Sequence, residues 1–173
     1  MDTNFFDARA GQWDAHQARV QRAKKIYHYI ADEITLNPHD RVLDFGCGTG
    51  LLGFCFIDSV KEVTFADTSA GMLEEVRKKA SSFPTGAVKT INLTEHVITG
   101  VYNTIVSLMA LHHVEDLDTA ICSLADHVAP GGFICFSDLD VEDGSFHAPD
   151  IAPHNGIDRA LVLNNLEKSG VHI

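Results

Sequence analysis

Short apolar runs alternating with helix-period stretches predict an α/β fold, a three-layer sandwich whose mainly parallel sheet is covered on both faces. The runs Arg41–Phe45, Tyr102–Leu108 and Phe133–Ser137 are near-continuous in apolar residues, as strands buried on both sides are. Between them, positions such as Leu117, Ile121, Leu124 and Val128 recur at three and four, the period of one helix face. A glycine-rich turn, Gly46-Cys47-Gly48-Thr49-Gly50, follows the first run directly.

The elements follow in order. Val20, Ala23, Ile26, Tyr27, Ile30 and Ile34 mark an amphipathic helix over 18–36, and Pro38 stops it by disfavouring helix at the residue before it. After the strand Arg41–Phe45, the apolar stretch 51–60 predicts a short helix. Residues 62–67 form a second strand, and Ser69 caps a helix to about Ala80. Met72 stands where a full capping box would place Glu. Pro84-Thr85-Gly86 turns into a weak strand, 87–91, and Tyr102–Leu108 is the fourth. Asp116 or Asp118 caps a helix to about Val128, and Pro130-Gly131-Gly132 turns the chain into the fifth strand. Beyond Asp138 lies a stretch rich in Asp, Pro, Gly and His. Asp158 then caps a last helix to about Lys168, with Gly170 where a left-handed residue ends it.

At 173 residues the chain has room for one domain, 1–173, with residues 1–36 as an N-terminal lid and helix and 37–173 as the core. A formal charge of −11 argues against a ligand held mainly by phosphate contacts, because nucleic acid and anionic membranes would be repelled. The four cysteines, Cys47, Cys55, Cys122 and Cys135, have no metal or redox spacing. They read as small buried hydrophobes in a reducing compartment. The N-terminus lacks an apolar signal core and no apolar run reaches the ~20 residues of a membrane span. A cytoplasmic protein is expected.

In open parallel sheets, ligands bind beyond the carboxyl ends of the strands. Gly46, Gly48 and Gly50 sit there, and their missing side chains let a ligand approach the main chain. Gly48-Thr49-Gly50-Leu51-Leu52-Gly53 formally matches a dinucleotide fingerprint, but it starts two residues late. Asp44 also precedes the turn with no Lys or Arg between Arg41 and Lys61, so a pyrophosphate would be opposed and an ammonium or sulfonium attracted. Asp67 ends the second strand, where a carboxylate can accept hydrogen bonds from both hydroxyls of a ribose.

The segments VLDFGCGTG, VTFADTSAGML, YNTIVSLMALHHVED and VAPGGFICFSDLD, in that order and spacing, resemble class I S-adenosylmethionine-dependent methyltransferases over about residues 5–170. The likeness is strongest to a small-molecule subgroup with N-termini like FFDARAGQWD. The resemblance implies a Rossmann-like fold, S-adenosyl-L-methionine as cofactor and S-adenosyl-L-homocysteine as product. It implies that Gly46, Cys47, Gly48 and Gly50 pack on the methionine part and ribose. Asp44 would meet the amino group, Asp67 the ribose hydroxyls, and Thr68 and Met72 the adenine. Asn92, where the family often has an acid, would accept from the adenine amine beside Leu93. Leu108 and Met109 would wall the transferred methyl, and Trp13 and Phe6 would belong to a lid.

Methyl transfer needs the acceptor held in line near ~3 Å, helped by a base where the acceptor carries a proton. His112, His113 and Asp138 are the candidates. A metal site from His112, His113, His147 and His154 lacks ligand spacing, so no metal is expected. The acidic loop Asp138–His147, if it lines the acceptor pocket, favours a neutral or cationic small molecule. The family's sheet ends in an antiparallel hairpin that this chain lacks, stopping at Val171-His172-Ile173. The fifth strand would then be an apolar edge, from truncation or with a second subunit covering it as a homodimer. A binding module without turnover and a nicotinamide-dependent oxidoreductase stand as the alternatives, the latter disfavoured by Asp44 and the offset glycines.

Overall fold

The computed structural model describes residues 3–146 and 152–172. A short helix α1 (Thr3–Asp7) and a 3-10 turn (Ala10–Ala15) lead into α2 (Gln17–Glu33). The core then runs β1 (Arg41–Phe45), β2 (Glu62–Asp67), α3 (Ala70–Ala80), β3 (Val88–Asn92), β4 (Tyr102–Leu108), α4 (Leu117–Asp126), β5 (Val128–Ser137) and α5 (Arg159–Lys168). The sheet has five strands in the order β3-β2-β1-β4-β5, all parallel. Strand order reverses between β1 and β4, which opens a crevice at their carboxyl ends.

The side-chain period of two sorts each strand between two cores. Val42, Val63, Phe65 and Val106 pack with Ala23 and Ile30 of α2 and Leu73 and Val76 of α3. Phe45, Ile134 and Phe136 pack instead with Leu117 and Ile121 of α4 and Leu166 of α5. Ser69 accepts from the Met72 amide, Asp116 from that of Thr119 and Asp158 from that of Ala160, so all three expected N-caps form. Gly170 takes a positive φ of 79° after α5.

Three expectations change. Helix α2 ends at Glu33, three residues early. The stretch 51–60 is not an α-helix but turns around a 3-10 segment, Gly53–Phe56. Leu52, Phe56 and Val60 are all buried, the Gly53 amide donates to Asp44, and Gly53 itself lowers helix propensity. Pro130–Gly132 does not precede β5 but lies inside it: pairing jumps from Tyr102–Val128 to Thr104–Phe133, so the turn bulges out of a strand already begun. The last residues described, Val171 and His172, are not in a strand. No helix of the described residues is long and apolar enough to cross a membrane.

Helix α1 is tied to the core by charge. Asp7 accepts from the Ser69 hydroxyl at 2.5 Å and the Gly71 amide at 2.8 Å, adding a carboxylate to the α3 N-terminus, where the helix dipole favours one. Asp14 accepts from the Thr49 hydroxyl and pairs with Lys79, both at 2.5 Å. The N-terminal segment is thereby fastened beside the glycine-rich turn.

Gly53 tests this packing. A Cβ there would lie 2.5 Å from the Phe65 ring and 2.7 Å from Asp44 Oδ2. Gly53→Ala is expected to cost roughly 1–3 kcal/mol, as overpacking does. Urea unfolding checks this, and an unchanged midpoint would refute the packing account.

Candidate functional site

A cavity of about 530 Å³ opens at the carboxyl ends of β1, β2 and β4, under the N-terminal segment. Gly46 (φ 64°) and Gly48 (φ 52°) carry the turn in the left-handed region, where glycine pays no Cβ penalty. At Gly46 a Cβ would collide with the Ala110 side chain, so this glycine lets the β1 turn meet the segment after β4. At Gly48 the nearest atom to a Cβ would be Trp13 Nε1 at 3.9 Å, so bare backbone faces the cavity.

Both acids expected to share a crevice line this one. Asp44 is 1% exposed, and Oδ2 accepts from the Gly53 amide at 2.9 Å. Burial raises its pKa to about 7; the Gly53 hydrogen bond opposes this and the Asp67 charge adds to it. No Lys or Arg of the described residues pairs with it. Asp67 joins the turn to α3: Oδ2 accepts from the Gly48 amide at 2.7 Å and Oδ1 from Ser69 at 2.8 Å. Burial raises its pKa too, although the amides of Ser69, Gly48 and Thr68 pull the other way. With two carboxylate oxygens and three amide donors, Asp67 keeps acceptor capacity for a ligand's hydroxyl. Burial, Asp67 and Asp44 together hold the Cys47 thiol well above its ordinary value, so it stays protonated.

Of the other expected residues, Trp13, Gly46, Cys47, Gly48, Thr68, Met72, Leu93, Leu108, Met109, His112 and His113 also line the cavity, as does Phe6. Met109 is the only described residue other than glycine with a positive φ, 56°, the kind of backbone strain that gathers at ligand sites. Three residues do not line the cavity. A Cβ on Gly50 would strike Phe65 and Phe54 at 2.8 and 2.9 Å, so Gly50 clears space for the core. The Asn92 side-chain oxygen accepts from the amide and hydroxyl of Thr94, closing a local turn. Asp138 accepts from the amides of Ala110, Leu111 and Leu139 and is bonded to His112 Nδ1. It knots the ends of β4 and β5 together. Burial raises its pKa, but His112 and the Leu139 and Leu111 amides outweigh that, so the group stays below the usual carboxylate range.

The acidic loop does not turn its charge on the cavity. Asp140 forms a two-pronged pair with Arg159 at 2.5 and 2.6 Å. Glu142 accepts from the amides of Gly144, Ser145 and Phe146, and Asp143 from that of Ser145. Of the loop's described residues only Phe146 lines the cavity; His147 falls outside the described residues. The condition for this loop to favour a neutral or cationic acceptor, that its acids line the pocket, is not met among the described residues. His154 Nε2 bonds to the Val114 carbonyl at 2.8 Å.

The residues sequence reasoning missed are on the N-terminal wall: Phe5, Arg9, His16, Arg19 and Arg22. The Arg9 guanidinium lies 3.7 Å over the Phe5 ring and that of Arg19 3.8 Å over Trp13. The three-residue spacing of Arg19 and Arg22 on α2 was the available signal.

A parallel sheet with bare glycine backbone at its switch point, and an acid ending each of two adjacent strands, defines a nucleotide-cofactor-binding domain. The chain belongs to the methyltransferase domain family, whose profile matches residues 15–165. It is 31% identical over 109 residues to an uncharacterised methyltransferase of Mycobacterium tuberculosis, covering 61% of this chain and 55% of that one. It is 30% identical over 148 residues to a ubiquinone biosynthesis O-methyltransferase of Alkalilimnicola ehrlichii, covering 82% and 60%. The chain therefore spans a little over half the length of these curated relatives. Among solved structures, the DhpI–SAH complex superposes with a TM-score of 0.65 at 23% identity, covering 79% of this chain and 67% of that one.

The raised Asp44 pKa sets a pH dependence. Between the ordinary 3.8 and about 7, the folded chain keeps a proton that the unfolded chain has released, so stability falls as pH rises through that window. Asp44→Asn keeps an acceptor for Gly53 and removes the charge. From pH 5 to 8, the wild type is expected to lose roughly 1–4 kcal/mol more stability than this variant, at ~1.4 kcal/mol per pKa unit. Paired urea titrations measure it, and equal losses would contradict the burial of an uncompensated charge.

Proposed function

We propose that this chain binds S-adenosylmethionine in the strand-end cavity and transfers its methyl group to a small-molecule acceptor. The observation that carries the reading is the convergence of Asp44 and Asp67 on one crevice floored by bare Gly48 backbone. The cofactor fits the donor set: a buried carboxylate without a cationic partner suits an ammonium, and an acid at the end of β2 suits two ribose hydroxyls. The structurally similar DhpI was solved as a complex with SAH, which accords with this.

When bound, S-adenosylmethionine supplies a methyl carbon activated by its sulfonium. The chain's own part is placement. Asp44 holds the amino end, Asp67 the sugar, and Thr68, Met72 and Leu93 wall the base. Leu108 and Met109 narrow the space around the reacting carbon and exclude water. An acceptor held by this wall would lie in line with the carbon–sulfur bond of that cofactor, with its lone pair directed at the methyl carbon and the sulfur leaving as a neutral thioether. Holding the two in that geometry supplies much of the acceleration.

Where the acceptor loses a proton, His113 is better placed than His112 to take it. His113 keeps 6% exposure at the cavity wall and stacks edge-on with Phe6 at 5.2 Å. His112 has none, and its Nδ1 is engaged by Asp138. Asp138 is a positioning residue in this reading.

S-adenosylhomocysteine is expected to raise the melting temperature, and Asp67→Ala to weaken its binding by about 10–100-fold, in keeping with loss of charge-assisted hydrogen bonds. Calorimetry reads both, and a wild type that ignores the ligand would overturn the reading. Transfer of labelled methyl groups to an acceptor panel separates an enzyme from a binding module without turnover. His113→Gln should lower kcat about 100-fold, within the range of general base catalysis, at unchanged S-adenosylhomocysteine affinity.

A further inference from the structure

We propose that the acceptor carries an anionic group, a carboxylate or phosphate, received by Arg9, Arg19 and Arg22 at the N-terminal wall of the cavity. The inference rests on the methyl-transfer reading and names its substrate class.

The chain as a whole is acidic, with a net charge of −11, yet this wall brings three arginines to one cavity. The chain's other three arginines find acids: Arg41 pairs with Glu62, Arg77 with Glu74 and Arg159 with Asp140. Among the described residues, Arg9, Arg19 and Arg22 pair with none. Their two closest anchors are neutral. Arg9 bonds to the Phe5 carbonyl at 3.0 Å and lies over that ring; Arg19 bonds to the Trp13 carbonyl at 3.3 Å and lies over the indole. These contacts pre-order two planar forks without neutralising them, so less rotamer freedom is lost when an oxyanion arrives.

Arg19 is also partly desolvated and repelled by Arg22, and both effects lower its pKa. An anion between them relieves that repulsion. S-adenosylmethionine has one carboxylate, which a single guanidinium can hold with two parallel hydrogen bonds. The other arginines remain for the acceptor. The acids that could have opposed an anionic acceptor, Asp140, Glu142 and Asp143, are held in their own loop contacts. Phe5, Phe6 and Trp13 beside the arginines favour an apolar body attached to the charged group.

Benzoate and phenyl phosphate, with benzyl alcohol and benzylammonium as neutral and cationic counterparts, test this by calorimetry on the full chain with and without saturating S-adenosylhomocysteine. The anions are expected to bind at least about tenfold more tightly than benzyl alcohol, in line with charge-assisted pairing. Arg22→Gln should weaken them about tenfold while leaving S-adenosylhomocysteine affinity within about twofold, and Arg22→Lys, which keeps the charge but not the fork, should lose less than Arg22→Gln. Equal or tighter binding of the neutral or cationic probe overturns the proposal. So does an Arg22→Gln variant that loses S-adenosylhomocysteine as strongly as it loses the anions, which would give the arginines to the donor. Failure of the wild type to bind S-adenosylhomocysteine instead overturns the methyl-transfer reading beneath it, leaving any anion binding without an acceptor's role.

Discussion

The Asp67 carboxylate is the joint on which the site is built. One oxygen takes the Gly48 amide of the turn after β1, the other takes the Ser69 amide at the start of α3. The turn and the helix therefore keep a fixed distance, and the crevice between them has a floor. Desolvating that carboxylate is costly, and the amide bonds recover part of the cost without a counter-charge. Asp44 lies one strand over with a single amide partner and a stronger burial effect. Two acids kept dry without cations are unfavourable for folding alone, which is the mark of groups retained for a ligand.

The N-terminal segment closes the crevice by electrostatics more than by packing. Asp7 sits on the amide end of α3 and Asp14 bridges Thr49 and Lys79. Two acids thus fasten the segment while its arginines line the cavity. The same thirty or so residues carry both the fastening and the recognition groups, on opposite signs of charge.

Much of the fold was legible because strands buried on both faces leave continuous apolar runs. Glu62–Asp67 and Tyr102–Leu108 are observed with their expected bounds, and Ser69 caps as its chemistry suggests. The stretch 51–60 was not legible: its run of apolar residues from Leu51 to Ile57 has no period to read, and the burial of Leu52, Phe56, Ile57 and Val60 decided its shape. Proline and glycine at 130–132 mark a turn equally well before a strand or within one. In the site, residue type located Asp44 and Asp67, whereas Gly50 and Asn92 share the motif's neighbourhood but point into core and turn. The spacing of Arg19 and Arg22 could not by itself reveal the arginine wall, because a charged helix face in sequence looks the same whether water or a cavity lies beside it.

With its pKa raised to about 7 by burial, Asp44 is partly protonated near neutrality. An ammonium arriving there would favour the ionised form, so occupancy and proton release become one linked event. On the proposed reading the crevice would work as an exchange in which a cation enters as hydrogen ion leaves, and mild acidification would compete with the donor for the same oxygen atoms.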